Sequence, residues 1–311
     1  MDVSPWLWVG FNVGVLALLA FDLGLLNRGP RAIGVTRALK LSAAYVALAL
    51  IFNAGVFWWM GRDAGLDFLT GYLIEKSLSL DNVFVIALIF GALGVPARHQ
   101  HRVLFWGILG ALAMRAGLIF AGISLIEQYR WMVYVFGVFL ALTGLRMLAT
   151  VDQTPDPARN PVALFLRARL RVTEGFEGER FVVRRNGQLF VTPLFIALVL
   201  VEMTDLVFAI DSIPAILAIT TDPFIVYTSN VFAILGLRAL YFALADVIHR
   251  FHYLKHALAL LLVVIGAKMA LVDLWKVPTA WALGATVVLL GGAILLSLAR
   301  RDRSTTKGEP A

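Results

Sequence analysis

Nine stretches of this sequence stay apolar for about the thickness of a bilayer, near residues 6–26, 40–60, 68–94, 103–125, 131–149, 192–219, 225–248, 254–273 and 279–299. A helix needs about 20 apolar residues to cross the hydrocarbon core. In lipid, every backbone polar group must also be satisfied within the chain. The reading is an all-α polytopic membrane protein with nine expected transmembrane helices. Composition agrees: 60% of the 311 residues are hydrophobic, 15% are charged, and the mean hydropathy is +0.84. So few polar residues cannot cover a soluble domain, and a disordered chain is excluded. The chain has no cysteine, which excludes disulfides, iron–sulfur clusters and thiolate metal sites. The first apolar run lacks a basic leader and is too long for a signal peptide, so none is expected.

The net charge of +7 is read as membrane topology rather than nucleic-acid binding. Of the 27 Lys and Arg residues, 19 fall on one side of the expected bundle and three, Arg62, Arg130 and Lys276, on the other. The basic side includes Arg28 and Arg31, Arg98 and Arg102, seven arginines between 159 and 185, Arg250 and Lys255, and the tail from Arg300 to Lys307. Basic loops stay inside, which predicts an external N-terminus and a cytoplasmic C-terminus in a bacterial inner membrane. Trp6, Trp8, Trp58, Trp59, Trp131, Trp275 and Trp281 then fall at the outer interface.

Helices one to five occupy residues 1–150 and helices six to nine 192–299, with a tail at 300–311. The one long loop, 151–191, is expected to be cytoplasmic, a solvated connector or a regulatory segment. Within it, Asp152 to Pro157 breaks the preceding helix, and Leu164–Val172 is expected on the membrane surface. Phe181–Val191 reads as a hairpin around Asn186-Gly187. Thr192-Pro193 is expected to cap and open the next helix.

The chain contains an internal repeat, about 68–149 and 192–273. Leu80-Asp81-Asn82-Val83-Phe84 matches Thr204-Asp205-Leu206-Val207-Phe208, Met114-Arg115-Ala116 matches Leu237-Arg238-Ala239, and Gly144-Leu-Arg146-Met147 matches Gly266-Ala-Lys268-Met269. The landmarks are 34 and 31 residues apart in the first copy, 33 and 30 in the second. Three helices per copy would invert the second copy, as in secondary transporters with a site at the repeat interface. A second register equates Glu75…Asp81-Asn82 with Asp205…Asp211-Ser212, and the sequence does not decide between them.

The helices that open the two copies carry Glu75, Asp81, Glu202, Asp205 and Asp211 at membrane depth. Such carboxylates are costly unless paired or hydrated, which makes them functional candidates. Asn82, Ser212 and Asn230 are secondary candidates for the same path. Glu202 and Asp205 share a helix face, whereas acids six apart are separated by about 240°. All five converge only if the helices break, with Gly71 and Pro214 as weak points. Oxygen ligands suit hard divalent cations. The lack of histidine in the span interiors argues against zinc, and Met203 is read as core packing.

Five basic residues also lie inside spans: Lys76, Arg115, Arg146, Arg238 and Lys268. They read either as internal counter-charges that neutralise the acids when no cation is bound or, for Arg146 and Lys268 above all, as side chains snorkelling to an interface. Asn53 is expected in helix contacts, and Asp22 at an interface. Asp246, His249, His252 and His256 can share one helix face, and with His99 and His101 they lie at the cytoplasmic side, either solvated or sensing pH or metal. No phosphate loop, dinucleotide fingerprint, nucleophile elbow or His-Glu-x-x-His motif is present, so no enzyme activity or organic cofactor is expected.

Three segments resemble the TerC/Alx family of integral membrane proteins: Glu75-Lys-Ser-Leu-Ser-Leu-Asp81-Asn82-Val-Phe, Glu202-Met-Thr-Asp205-Leu-Val-Phe-Ala-Ile-Asp211-Ser, and Thr228-Ser-Asn230-Val-Phe-Ala-Ile-Leu-Gly-Leu-Arg238. The resemblance runs from the first span through the eighth, within a broader group similar to LysE-type exporters. It implies export of Mn2+ from the cytoplasm, with the five acids as transport residues. The family's tellurium-resistance name does not follow from these residues, because an acidic path repels an oxyanion. Proton antiport fits exchangeable carboxylates. The rivals are a membrane scaffold or assembly factor and a metal sensor without transport.

Overall fold

The structure, a computed structural model, describes residues 4–26, 35–150, 160–185, 187–244, 253–274 and 279–305, with side chains left out at 22–26 and 298–305. Arg28, Arg31, Asp152 to Pro157, Asn186, Asp246, His249, Arg250, His252, Trp275, Lys276 and Lys307, and the side chains of Asp22 and Arg300, therefore lie outside it.

The helices are α1 (Pro5–Leu26), α2 (Val35–Trp59), α3 (Arg62–Ala92), α4 (Ala97–Gln128), α5 (Met132–Ala149), α6 (Pro161–Arg169), α7 (Pro193–Leu217), α8 (Pro223–Leu235), α9 (Leu237–Leu244), α10 (Leu254–Ala270) and α11 (Thr279–Thr305). Strands β1 (Val182–Arg185) and β2 (Gln188–Val191) form one antiparallel hairpin. The protein is an all-α polytopic membrane protein. Among the described residues, six segments are long and apolar enough to cross a bilayer: α2, α4, α5, α7, the combined α8–α9 and the first part of α11. The other three apolar runs are also helical. However, α3 carries charges along its length, α10 has 17 residues, and the described part of α1 is short.

Local chemistry explains several boundaries. Asp222 accepts from Phe224 N at 2.9 Å and Ile225 N at 3.1 Å, so it caps α8 ahead of Pro223. Asn160 accepts from Val162 N at 2.8 Å and caps α6 in the same way. Thr192 corrects its expectation: it makes no side-chain cap, and its hydroxyl donates instead to Arg180 O at 2.7 Å, tying α7 to the hairpin. The hairpin pairs Arg185 with Gln188, leaving two residues for the turn, and Gly187 takes φ 78° there. In α6, Ala163 is buried while Leu164 and Phe165 are exposed.

The helices are not broken where the sequence suggested. α3 runs unbroken through Gly71, and α7 continues past Pro214 to Leu217. Pro214 has no N–H to bond Ile210 O, and only three helical residues follow it. Gly71 serves close approach instead: a Cβ there would lie 3.1 Å from Ser229 Oγ on α8. The break falls at Gly236, between α8 and α9.

Contacts along the helices fix their directions. Gly107, Arg115 and Gly122 on α4 meet Val201, Asp205 and Leu217 on α7, so these two run parallel. Gly71, Glu75 and Lys76 on α3 meet Ser229, Asn230 and Ala233 on α8, again parallel. α3 and α7 are antiparallel, because Gly71 meets Ile216 and Asn82 meets Asp205. α5 and α10 are antiparallel too: Gly144 meets Ala259 and Val263, while Gly266 meets Gly137 and Ala141. The α8–α9 segment is the most enclosed, 89% buried.

One apolar cluster joins the loop end of α3, α4 and α7 to Ala163, Phe176 and Phe181. Another, rich in Phe52, Phe68, Phe224 and Phe232, fills the space among α2, α3 and α8. Trp6, Trp58, Trp59, Trp131 and Trp281 are exposed, as an interfacial belt requires. Trp8 departs from this pattern and packs inward on Phe224 at 5.3 Å and Tyr227 at 5.4 Å.

Candidate functional site

The centre of the site is Arg115 on α4, only 2% exposed. Its Nε donates to Asp205 Oδ2 at 3.1 Å and its Nη2 to Asp205 Oδ1 at 2.9 Å, a bidentate pair. Its Nη1 donates to Glu75 Oε1 and reaches Ser212 Oγ and Asn230 Oδ1, each at 3.4 Å. Asn230 Nδ2 donates to the other Glu75 oxygen at 3.2 Å, and Asn82 Nδ2 to Asp205 Oδ1 at 3.1 Å. Glu75, Asn82, Asp205, Ser212 and Asn230 are all buried. Four helices, α3, α4, α7 and α8, thus meet on one guanidinium.

Helix periodicity explains the convergence. Seven residues are almost two full turns. Glu75 and Asn82 are seven apart on α3, as are Asp205 and Ser212 on α7. Each helix therefore presents an acid and a neutral oxygen on one face. The sequence reading compared acids with acids at a spacing of six, which points them apart. The acid-to-amide and acid-to-hydroxyl spacing of seven was the signal that it missed.

The other three acids stand off this network. Asp81 is buried, without a hydrogen bond among the described residues, and feels the positive charge of Lys255. The Lys255 Nζ lies 4.4 Å over the Phe84 ring. Asp211 is half-buried beside the Thr143 hydroxyl and the Arg146 charge on α5. Glu202 is half-buried, with its carboxylate resting on Gly110 where a Cβ would sit. Its Oε2 is buried without a hydrogen bond. The continuous helices keep the five acids from converging, and no group of three His or acidic residues forms a ready cage among the described residues.

The remaining basic residues have separate roles. Lys76 Nζ donates to Ala233 O at 3.2 Å and lies 2.8 Å from a Cβ built on Gly236, at the α8–α9 break. Lys268 Nζ donates to Ala218 O at 3.4 Å and faces Asp67, a residue the sequence reading did not single out. Arg238 is buried at the start of α9, and Arg146 is exposed. Asn53 is buried on α2. His101 lies 4.0 Å from Glu179 in the loop, and His99 is buried near Phe176.

Beside Asp205, on the side facing the loop end, is a cavity of about 20 Å3 with a largely apolar wall, Ile86, Leu104, Ile108, Val201 and Leu237 beside Gly107 and Ala111, to which Asn82, Thr204 and Asp205 add polar groups. It has room for one water or a bare ion. Asn82 Oδ1 is buried without a hydrogen-bond partner. Oxygens of Glu75, Asn82, Asp205, Ser212 and Asn230 are the donors that a hard cation would use here.

The sequence profile described as integral membrane protein TerC family matches residues 60–305. A membrane protein of Myxococcus xanthus, STKORF319, is 48% identical over 99% of this chain and 97% of its own length. A protein of Escherichia coli K12 named membrane-bound redox modulator Alx is 48% identical over 92% of each chain. A membrane protein of Rickettsia bellii is 43% identical over 95% of this chain and 98% of its own. No solved structure matches significantly. On this likeness over nearly its whole length, and on the motifs that build the buried network, the chain belongs to the TerC family of integral membrane proteins.

Proposed function

We propose that this chain exports a hard divalent cation, Mn2+ foremost, from the cytoplasm by alternating access between two inverted three-helix units. The observation that carries the reading is the pair of buried carboxylates, Glu75 and Asp205, brought together from two antiparallel helices with amide and hydroxyl oxygens around them. Ionisable groups at membrane depth mark ion paths, and an all-oxygen donor set favours manganese, magnesium or calcium over softer metals.

The inverted arrangement is supported by reciprocal packing. α3 lies parallel to α8 as α4 lies parallel to α7, and each third helix is antiparallel to its counterpart. The glycine contacts repeat the exchange: Gly144 on Ala259 and Val263, Gly266 on Gly137 and Ala141. A shift of 122 residues converts one set into the other. That Glu75 and Asp205 meet on one arginine favours the register that equates them. Nine crossings, with the N-terminus outside and α6 and the hairpin in the cytoplasm, follow from the Lys and Arg distribution. Proton antiport through the stand-off acids Asp81, Glu202 and Asp211 completes the scheme. A redox effect, as in the Alx relatives' name, would not run through cysteine chemistry of this chain, which has no thiol, and metal supply is a route consistent with the export reading.

The rival reading, a membrane scaffold, is favoured by one observation: Arg115, with Asn82 and Asn230, already gives every oxygen of both carboxylates a partner. Flux of Mn2+ into proteoliposomes, followed by an internal dye, separates the two. Wild type is expected to transport, and folded Asp81→Asn and Asp211→Asn variants to lose flux. Absence of flux under pH gradients of either sign, with the protein in both orientations, would sink the transport reading.

A further inference from the structure

We propose that Arg115 is a tethered stand-in for the cargo: its guanidinium occupies the cation position while the carrier is empty and must be displaced for metal to bind. The inference rests on the export reading above and names how the charge of that site is offset between cycles.

The geometry points to Arg115, which bridges Glu75 and Asp205, rather than to Lys76, Lys268 or Arg146. Lys76 and Lys268 donate to backbone carbonyls, of Ala233 and Ala218. Arg146 is exposed and faces Asp211. Arg115 bridges two acids on two different helices and is buried to its tip. A guanidinium has five N–H donors and no acceptor. Nε and Nη2 are directed at the two Asp205 oxygens, and the two N–H groups of Nη1 are shared among Glu75 Oε1, Ser212 Oγ and Asn230 Oδ1. These are the oxygens that a hard cation requires, so metal and guanidinium exclude each other. A snorkelling arginine would not meet this set.

Charge gives the reason for such a device. Two bare carboxylates in the membrane interior are prohibitive. With Arg115 in place, the site carries one net negative charge. With a divalent ion in its place, it carries none. An empty carrier can therefore reorient without exposing both carboxylates unpaired. A monovalent ion offers no more charge than the guanidinium and none of its fork geometry, so it cannot displace Arg115, whereas a divalent ion can.

The structure also supplies an approach. Gly107 and Ala111 lie about two turns and one turn before Arg115 on the same face of α4, and both line the cavity of about 20 Å3 beside Asp205. Asn82, whose Oδ1 is buried without a hydrogen-bond partner, lines the same cavity. An incoming ion can reach Asp205 there, while Arg115 still holds the opposite side, and then complete its shell as the guanidinium leaves.

The test uses the full chain in detergent and in proteoliposomes, with wild type, Arg115→Lys and Arg115→Gln. Mn2+ affinity is read by calorimetry, net flux by internal dye, and Mn2+/Mn2+ exchange by radiolabelled counterflow. Removing a competitor raises apparent affinity. Arg115→Gln is expected to bind Mn2+ about tenfold tighter than wild type, with Arg115→Lys between the two. Net flux should fall about tenfold or more while counterflow persists, because the loaded carrier still reorients and the empty one does not. A merely structural arginine predicts the opposite, weaker binding with loss of both fluxes. Unchanged affinity and net flux in either variant overturns the proposal. So does a result in which only the charge-compensated Glu75→Gln/Arg115→Gln protein folds. Wild-type protein without any flux would instead defeat the export reading itself.

Discussion

At the scale of single residues, equal charges carry unequal structural loads. Asp205 accepts twice from Arg115 and once from Asn82, whereas Asp81 accepts no hydrogen bond among the described residues. Breaking a buried pair by removing one partner costs about 3–5 kcal/mol, because the other charge stays behind. Asp205→Asn should therefore lower thermal stability markedly and Asp81→Asn little, although both should abolish flux; melting curves of the two purified variants check this. Gly110 gives a sharper case. The Glu202 carboxylate fills the space where a Cβ would sit, so Gly110→Ala must expel it. Gly117, with nothing within 4 Å of its Cβ position, is the control on the same helix. Gly117→Ala should keep full flux and gain about 0.5–1 kcal/mol of stability from helix propensity. Gly110→Ala should lose flux about tenfold through its effect on Glu202. Equal flux in the two would show that the position of Glu202 is unimportant.

At the scale of elements, α5 and α10 press together through glycines. A Cβ built on Gly266 would lie 2.5 Å from Ala141 N and 2.6 Å from Gly137 O, against backbone that cannot rotate away. Overpacking of this kind costs about 1–3 kcal/mol. Gly266→Ala should destabilise the protein by that amount, while Gly284→Ala on α11, with nothing nearby, should not; denaturation in detergent compares them. The helices themselves were legible in the sequence, since length and apolarity suffice for a span. The glycine contacts were not, because a glycine's role depends on what approaches it. Gly71 and Pro214 look like breaks, yet one is a contact point and the other sits in a last turn. The true break at Gly236 is marked by the Lys76 ammonium lying against it, 160 residues away in sequence. All five acids were legible by type and depth. Which two would meet was not, because that depends on the register of α3 against α7 and on Arg115 arriving from α4.

At the scale of the whole molecule, the direction of the proposed transport depends on orientation, which no contact inside the bundle determines. Electrostatics is expected to set it, since the sequence assigns 19 Lys and Arg residues to one side and three to the other. The start of α3 at Arg62 and the exposed loop residue Gly175 lie at opposite ends of the bundle. The natural chain has no cysteine, so one introduced thiol gives an unambiguous label. An impermeant maleimide added to intact cells should modify Arg62→Cys and spare Gly175→Cys, and inside-out vesicles should reverse the result. Arg62 and Gly175 are both exposed, and a failure to label therefore reports sidedness rather than burial. The cavity beside Asp205 lies toward the loop end, and the same experiment therefore fixes the compartment that it faces. If Gly175→Cys labels from outside, the approach to Arg115 opens to the exterior. The site chemistry would then stand unchanged, and the proposed direction would become uptake.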